Sequence, residues 1–357
     1  MFADDVSDDS DEVVITPFQH QVGGHKVVLQ ISKHLICKPR EEYEIEFYKR
    51  LPENLKDCVP HFRGEILVQY IENSTGFQLR AQLPKGLKQD IQREVNACID
   101  NRLMNNNTDI SPDGLNSPVM SCQPSTEPEV LSETETEQHS NEKTHLSDWS
   151  KKCLERTMHK YALWSTNTSQ QFIVLENLLA GYKFPCVLDI KLGRKQGVYD
   201  CSEEKRLILE SRCAHSTSAS LGFRICGMQL FQRNTGEYIS QDKYIGRALD
   251  DEGAMLNLKQ YFNDGFSLRS DVIRKMLEKL QYIHKTMAEQ HMFHFLSVSL
   301  LLIYDSDSEV KVDARLIDFA NAISQDDLPL EEQHNGYNED LLFGISSINN
   351  ILQGLLS

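Results

Sequence analysis

The stretch PCVLDIKLG, residues 185–193, carries the clearest signal of structure in the chain. Its mostly apolar run, which ends at a glycine, predicts a buried β-strand. Asp189 and Lys191 interrupt that run, and both project from one face because side chains alternate along a strand. Burying two opposite charges is costly unless they pair tightly or serve a function. Two interpretations therefore stay open: a structural ion pair at a strand end, or two chemically active groups.

Three further features lie on either side of this strand. Gly23 and Gly24 stand between two predicted strands, Lys38 ends the strand HLIC and precedes Glu44 in the next helix, and Asp318 follows an apolar strand in RLIDFAN. Each feature has an ordinary explanation: a hairpin turn, a surface ion pair, and a turn-forming aspartate. In this order they are also what a two-lobed kinase requires: a turn over phosphates, a lysine–glutamate pair and a metal-holding carboxylate.

Two familiar kinase motifs are missing from the sequence. It contains no His-Arg-Asp catalytic loop and no GxxxxGK[ST] phosphate-binding loop. If the chain is a kinase, Asp189 must therefore supply what the catalytic-loop aspartate supplies in protein kinases.

The net charge of −16 is concentrated in two segments. Residues 1–12 and residues 127–148 each carry −6, and both are poor in large apolar residues. Bases cluster elsewhere, at Lys191, Arg194, Lys195, Lys205, Arg206 and Arg212. A local basic cluster on an acidic protein fits a small anionic substrate and argues against nucleic acid, although a solvated basic face would give the same pattern.

The composition along the chain predicts an α+β fold in five segments. These are an acidic flexible tail (1–15), a small β-rich N-terminal lobe (16–98), a disordered acidic and polar insert (99–150), a strand and hinge (151–182), and a larger α+β C-terminal lobe (183–357). The acidic segments are candidates for contacting protein partners.

No apolar run is long enough to span a membrane, and the N-terminus is acidic where a secretory signal would be basic and then apolar. The nine cysteines form no CxxC pair, so neither zinc nor a disulfide framework is expected. We therefore expect a reducing compartment, the cytosol or the nucleus.

The motif Pro185, Asp189, Lys191, Gly193 resembles the PxxxDxKxG signature of the inositol polyphosphate kinase family. Within that family the sequence is most similar to the inositol hexakisphosphate kinases. The supporting stretches are PFQHQVGGH (17–25), CKP (37–39), ExxFYxxLP (44–52), LEN (175–177), STSASLGFRICGMQ (216–229), DKYIGR (242–247), SLLLIYD (299–305) and VDARLIDFA (312–320). The resemblance covers nearly all of the chain outside the tail and the insert.

The resemblance implies a protein-kinase-like bilobal fold with ATP in the cleft. Gly23 and Gly24 would cover the ATP phosphates, Lys38 would bind them, and Glu44 would orient Lys38. The hinge that hydrogen-bonds adenine would be formed by Glu176, Asn177 and Leu178.

The resemblance also implies the reacting groups. Asp318 would hold Mg²⁺, Asp189 would contact the accepting oxygen, Lys191 would neutralise the moving phosphoryl group, and Ser299 would lie near the metal and phosphates. The candidates for binding the inositol phosphate substrate are Lys195, Lys205, Lys243 and Arg247.

The sequence departs from the family pattern at three places. Gln196-Gly197-Val198-Tyr199-Asp200 replaces Gln-His-Gly-Asp-Asp, Val298 interrupts a serine run, and Asn321 replaces a histidine. These departures bear on substrate choice. Transfer to inositol hexakisphosphate is the main expectation. The alternatives are a multikinase that acts on ring hydroxyls of lower inositol phosphates, and a catalytically silent scaffold that binds inositol phosphate.

Overall fold

The computed structural model divides the chain into two compact units, Met1–Pro84 with Leu146–Ser357, and Lys85–His145. The residues that it describes are 12–73, 76–93, 148–162, 169–195, 201–307, 309–328 and 338–357. Of the second unit these include only 85–93, which form helix α2. The acidic N-terminus before residue 12 and most of the predicted insert lie outside the described residues.

The N-terminal part of the larger unit is a closed six-stranded antiparallel barrel with the strand order β1-β2-β3-β6-β4-β5. Its strands are β1 (Glu12–Pro17), β2 (Leu29–Gln30), β3 (Leu35–Pro39), β4 (Phe62–Asn73), β5 (Gly76–Gln82) and β6 (Ser169–Glu176). Helix α1 (Glu42–Lys49) and a 3₁₀ turn (Glu53–Cys58) connect β3 to β4. The barrel places Lys38 in β3 opposite Ile173 in β6.

The C-terminal part is built on a five-stranded antiparallel sheet with the order β12-β11-β7-β8-β9, beside a two-stranded β10–β13 sheet. The strands are β7 (Pro185–Leu192), β8 (Phe223–Gln232), β9 (Glu237–Gln241), β10 (Phe293–Phe295), β11 (Ser299–Asp305), β12 (Val312–Ile317) and β13 (Ala322–Ser324). The helices are α3 (Asp148–Ala162), α4 (Glu203–Ala214), α5 (Thr217–Leu221), α6 (Lys243–Ala248), α7 (Asp251–Tyr261), α8 (Ser270–Glu289) and α9 (Glu339–Gly354). The predicted α+β class, with a β-rich N-terminal part and a larger α+β part, is confirmed.

Strand β7 is the centre of this sheet, because β11 and β8 pair with its two edges. The predicted buried strand PCVLDIKLG is therefore confirmed, and its apolar side chains, such as Leu188 and Ile190, are fully buried. None of the helices in the described ranges is long and apolar enough to cross a membrane.

Two predicted boundaries were wrong. Residues 12–15 belong to β1 and not to the tail: Ile15 is buried, and the charge of Glu12 is met by Arg80 with 3.3 Å between Oε2 and Nη1. Residues 148–150 begin helix α3 and are not part of a disordered insert, because the Trp149 side chain is buried. The segment predicted as strand and hinge (151–182) consequently opens with a helix.

The packing of α9 on the sheet requires glycine at a close backbone approach. A Cβ atom on Gly344 would lie 2.3 Å from the Gly222 carbonyl oxygen, whereas a Cβ on Gly354, at the end of the same helix, meets nothing within 4 Å. Backbone cannot yield as a flexible side chain would, so the added methyl must displace α9.

We therefore expect Gly344→Ala to lower the free energy of unfolding by about 1–3 kcal/mol, measured by urea denaturation. Gly354→Ala is the matched control and should change it by no more than about 0.5 kcal/mol. Equal stability of the two variants would contradict the close packing of α9.

Candidate active site

A three-way ion cluster joins the barrel to the sheet. Lys38 Nζ, on β3, lies 2.9 Å from Glu44 Oε1 on α1 and 2.9 Å from Asp318 Oδ1 directly after β12. The Glu44 side chain is 1% exposed, and its Oε1 also accepts a hydrogen bond from the Phe319 backbone N–H. Glu44 therefore holds both the lysine and the chain next to Asp318, and the predicted lysine–glutamate pair is present.

The cluster keeps Asp318 ionised. The neighbouring Lys38 ammonium holds the pKa of Asp318 down at about 2, against the effect of burial, and Lys191 adds to the shift. Burial acts to lower the pKa of Lys38, but the Asp318 and Glu44 carboxylates outweigh it and raise that pKa above its usual value. Asp318 also has a left-handed backbone, with φ of 66°. Such conformations are concentrated at functional sites, and this one follows a strand as the metal-holding position requires.

Asp189 lies in the middle of β7 and is 3% exposed. Its Oδ1 atom has no hydrogen-bond partner among the described residues. Burial raises the pKa of Asp189 to about 6, and the negative charge of Asp318 contributes, while Lys191 and a hydrogen bond from Ser299 act in the opposite direction. Asp189 is thus a buried carboxylate that is only partly satisfied by the protein, in the manner of functional carboxylates.

Lys191 is near Asp189 but is not ion-paired with it. In the described part of the chain, the Lys191 nitrogen does not lie within 4.0 Å of an Asp189 carboxylate oxygen. Instead Lys191 Nζ donates a hydrogen bond to the Ser297 carbonyl oxygen at 2.5 Å. Ser299 stands opposite Lys191 in the β11–β7 register and is fully buried. The interpretation of Asp189 and Lys191 as a structural ion pair was therefore wrong.

The predicted glycine turn lies directly over Asp189. A Cβ on Gly23 would fall 1.7 Å from Asp189 Oδ2, so only glycine allows this approach. Gly24 has φ of 78°, in the left-handed region that favours glycine. The Gln21 side chain donates to the carbonyl oxygens of Gly23 at 3.0 Å and Lys26 at 2.8 Å, which holds the turn in shape.

The predicted hinge joins the barrel to the sheet. The Asn177 backbone N–H donates to the His34 carbonyl oxygen at 2.8 Å, and its side chain donates to the Lys33 carbonyl oxygen at 2.8 Å. The Glu176 carboxylate lies 3.3 Å from His61 Nδ1. Leu178 packs against an apolar cluster that reaches from the turn to the sheet, made of Val22, Leu179, Val187 and Ile303. Asn177 thus holds the shape of the predicted hinge, and an apolar cluster lies beside it.

Lys243 and Arg247, two of the predicted substrate-binding residues, lie together on the short helix α6. The Lys243 side chain is buried, with Nζ 2.9 Å from His25 Nδ1. Burial lowers the pKa of Lys243 to about 8, and the charges of Arg247 and Arg156 add to the effect. Burial also lowers the pKa of His25 to about 4, and the positive charges of Lys243 and Arg247 act in the same direction. The imidazole is therefore neutral at pH 7 and can accept a hydrogen bond from Lys243.

A basic cavity of about 240 Å³ opens beside Arg247. Its described lining residues are Ser211, Arg212, His215, Ser216, Arg224 and Arg247, and none of them is a carboxylate. Arg224 is 6% exposed, and its Nε atom has no hydrogen-bond partner among the described residues. Three guanidinium groups without a carboxylate among these lining residues form a site for a strongly anionic ligand.

Sequence reasoning missed Arg224 as a site residue and counted Arg212 only as part of a basic run. The signal for Arg224 was present: it interrupts the apolar run GFRICG as Lys191 interrupts PCVLDIKLG, and the two residues are partners in the β7–β8 register. In both cases the signal is an unexplained charge inside an apolar strand.

Lys195 and Lys205 are not among the described residues that line this cavity, and both are exposed. Lys205 lies in the first turn of α4, where its backbone N–H is capped by Ser202 Oγ. The altered segment 196–200 lies outside the described residues. Val298 is fully buried in the core, and the Asn321 carbonyl oxygen accepts a hydrogen bond from the Leu296 N–H.

Comparisons with known proteins identify relatives of this chain. The model of the inositol polyphosphate kinase family matches residues 172–353. Mouse inositol hexakisphosphate kinase 3 is 31% identical over 380 residues, covering 96% of this chain and 95% of the relative. Rat inositol hexakisphosphate kinase 2 is 30% identical, covering 98% and 96%. The solved structure of the inositol phosphate multikinase Ipk2 from S. cerevisiae, with ADP and Mn²⁺, has a TM-score of 0.47 and 28% identity, covering 53% of this chain and 85% of that one.

The family model and these relatives place the chain among the kinases. The chain belongs to the inositol polyphosphate kinase family.

The raised pKa of Asp189 has a measurable effect on stability. A carboxylate whose folded pKa is raised from 3.8 to about 6 favours the folded state at low pH, and this contribution is lost as the pH rises through about 6. Asp189→Asn removes the charge, so the variant should be more stable than the unmodified protein at pH 7–8, by about 1–3 kcal/mol. The gain should shrink as the pH falls from 6 towards 4, as measured by urea denaturation across this range.

Asp305→Asn is the control, because that carboxylate accepts backbone hydrogen bonds from Lys183 and Phe184 and its loss should destabilise the protein. A gain in Asp189→Asn that does not vary between pH 4 and 8 would show that Asp189 is not protonated in this window.

Proposed function

We propose that the protein transfers the γ-phosphoryl group of ATP to inositol hexakisphosphate and forms an inositol pyrophosphate. The observation that carries the proposal is the cavity lined by Arg212, Arg224 and Arg247, whose described lining residues include no carboxylate. The strands bring it close to the reacting groups, because Arg224 on β8 is the register partner of Lys191 on β7. The named relatives support the choice of substrate, since they are inositol hexakisphosphate kinases aligned over most of their length.

ATP would lie in the cleft between the barrel and the sheet. The glycine turn at Gly23 and Gly24 would cover the phosphates, Lys38 would bind them, and Glu44 would hold Lys38 in place. The adenine would contact the backbone of Glu176 to Leu178 and the apolar cluster around Val187. This division of labour is the one that phosphoryl transfer requires of a kinase.

Mg²⁺ would be held by Asp318. Its low pKa keeps the carboxylate ionised at any working pH, and Mg²⁺ prefers such oxygen ligands. The described residues contain no group of three or more His, Cys, Asp or Glu side chains that could hold a metal ion. That fits Mg²⁺, which takes one or two carboxylates and completes its shell with substrate phosphates and water. When bound, it would neutralise charge on the ATP phosphates.

Inositol hexakisphosphate has no free ring hydroxyl, so the acceptor is a phosphate oxygen that is already ionised. A bond forms between this oxygen and the γ-phosphorus, while the bond to the oxygen bridging the β- and γ-phosphates breaks and ADP leaves with the electron pair. No proton has to be removed for the attack. The main demand on the protein is therefore for positive charge, and Lys191 would neutralise the moving group, with Asp189 and Ser299 beside it.

Lys243, Arg247, Arg224 and Arg212 would bind the other phosphates of the substrate, and Lys195 and Lys205 remain candidates at the exposed edge. The described cysteines are free thiols, in keeping with a reducing compartment, the cytosol or the nucleus. Protein partners for the acidic segments stay a prediction.

Asp318→Ala tests the nucleotide side. We expect at least about a hundredfold loss of kcat in a coupled assay with ATP, Mg²⁺ and inositol hexakisphosphate. Asp326→Ala is the matched control, since that carboxylate is 86% exposed and pairs only at the surface with Arg50. Asp318→Ala with near-normal kcat would remove Asp318 from its assigned role.

Arg224→Gln tests the acceptor side. A charge-assisted hydrogen bond contributes about 1.5–3 kcal/mol, so the KM for inositol hexakisphosphate should rise about tenfold or more, with a smaller effect on kcat. Arg206→Gln should leave KM unchanged, because Arg206 is exposed on α4 and already paired with Glu203 and Glu210.

The same assay separates the alternatives. Turnover of lower inositol phosphates in strong preference to the hexakisphosphate would indicate a multikinase. Binding of the hexakisphosphate without any turnover by the unmodified protein would indicate a scaffold. An unchanged KM in Arg224→Gln, with turnover intact, would show that the substrate lies outside the arginine-lined cavity.

A further inference from the structure

Helix α3, which follows the insert, holds the glycine turn through its first residues. The Trp149 side chain is 3% exposed, and its indole N–H donates a hydrogen bond to the Gly23 carbonyl oxygen at 3.0 Å. The same oxygen accepts from the Gln21 side chain, also at 3.0 Å. Gly23 is the residue whose backbone lies against the Asp189 carboxylate. The position of the turn over Asp189 is therefore set in part from α3.

The next residue of α3 holds the chain that leads into the turn. Ser150 Oγ donates to the Phe18 carbonyl oxygen at 3.0 Å and lies 3.3 Å from the Gln21 carbonyl oxygen. Trp149 and Ser150 thus contact both the beginning and the tip of segment 18–23. Hydrogen bonds at two points of a short segment limit its rotation as well as its translation.

The aromatic face of Trp149 contacts Lys243, one of the predicted substrate-binding residues. Lys243 Nζ lies 4.6 Å from the centre of the Trp149 ring, within the range of a cation–π interaction. Arg156, two turns further along α3, lies 5.7 Å from the same ring. Lys243 is also the residue whose ammonium group reaches His25, directly after the glycine turn. The indole edge contacts the glycine turn, and the ring face contacts Lys243.

We propose that Trp149 is a positioning residue that holds the glycine turn with its indole N–H and Lys243 with its ring face, so that one side chain sets the geometry of both substrate sites. This inference rests on the proposed function, which gives the turn to ATP and Lys243 to the inositol phosphate. The two contacts use different parts of the indole, so they can be removed separately.

Trp149→Phe keeps an aromatic face, although a smaller one, and removes the N–H donor. We expect KM for ATP to rise about fivefold, while KM for inositol hexakisphosphate changes less than twofold. Gln21 still donates to Gly23, which keeps the effect moderate. Trp149→Leu removes the donor and the face, so both KM values should rise, each by about fivefold. Ser150→Ala should reproduce the ATP effect alone.

Lys151→Ala is the matched control, since Lys151 is exposed on the same helix and should leave both KM values unchanged. Thermal unfolding of every variant separates positioning from stability. Equal effects of Trp149→Phe and Trp149→Leu on both KM values, or a lowered melting temperature with unchanged KM values, would overturn the inference.

A binding measurement tests the inference without turnover and so apart from the proposed function. Trp149 and Trp164 are the two tryptophans of the chain. In a Trp164→Phe background, Trp149 fluorescence should change on addition of a non-hydrolysable ATP analogue with Mg²⁺. Addition of inositol hexakisphosphate should change it separately, because ATP would lie against the turn that the indole N–H holds, whereas the phosphates of the second ligand would change the charge around Lys243 on the ring face. Fluorescence that responds to neither ligand would overturn the role of Trp149 even if the protein proves to be an active kinase.

Discussion

The contact on which the site depends is the Lys38 ammonium held between the Glu44 and Asp318 carboxylates, each 2.9 Å away. Lys38 lies on barrel strand β3, Glu44 lies on helix α1 directly after that strand, and Asp318 follows sheet strand β12. The cluster therefore also connects the two parts of the fold. Removing Lys38 would leave two carboxylates close together, with the 1% exposed Glu44 lacking a compensating charge, which costs more than the intact cluster contributes. The cluster therefore specifies where the parts meet, and Asp318 is ionised as a result of that meeting.

Asp189 shows the opposite arrangement. It is nearly as buried as Glu44, yet one of its oxygens has no partner in the described part of the chain, and its pKa is raised to about 6. Such a residue weakens the fold at neutral pH, and a protein selected for stability alone would carry a neutral side chain there. The glycine turn packed against it prevents any larger residue from filling the gap. Strain and unmet polar groups collected at one place are typical of a site whose groups are completed by substrate.

Local periodicity was sufficient to predict that Asp189 and Lys191 share a face of β7, since alternation along a strand needs no knowledge of the rest of the fold. It was not sufficient to predict their partners. Lys191 bonds to the Ser297 carbonyl oxygen, 106 positions away in sequence, and that contact rejects the ion pair that the spacing suggested. Trp149 was missed for a different reason. A single aromatic residue hardly changes the average composition of a polar segment. The boundary set from that composition, at residue 150, therefore left Trp149 inside the insert, although its side chain is buried.

The distribution of charge explains how a chain with a net charge of −16 can bind a polyanion. At physiological ionic strength, interactions between exposed charges are screened beyond about 8 Å, so the binding of an anion depends on the charges close to it more than on the net charge of the chain. Within the cavity the lining arginines act at contact distance in a medium less polar than water, where each interaction is stronger. The carboxylates of the site lie instead around Lys38, on the side where a divalent cation would offset them. The arginine cavity holds no carboxylate among its described residues, so its guanidinium groups repel one another without compensation. A highly phosphorylated ligand would supply the missing negative charge.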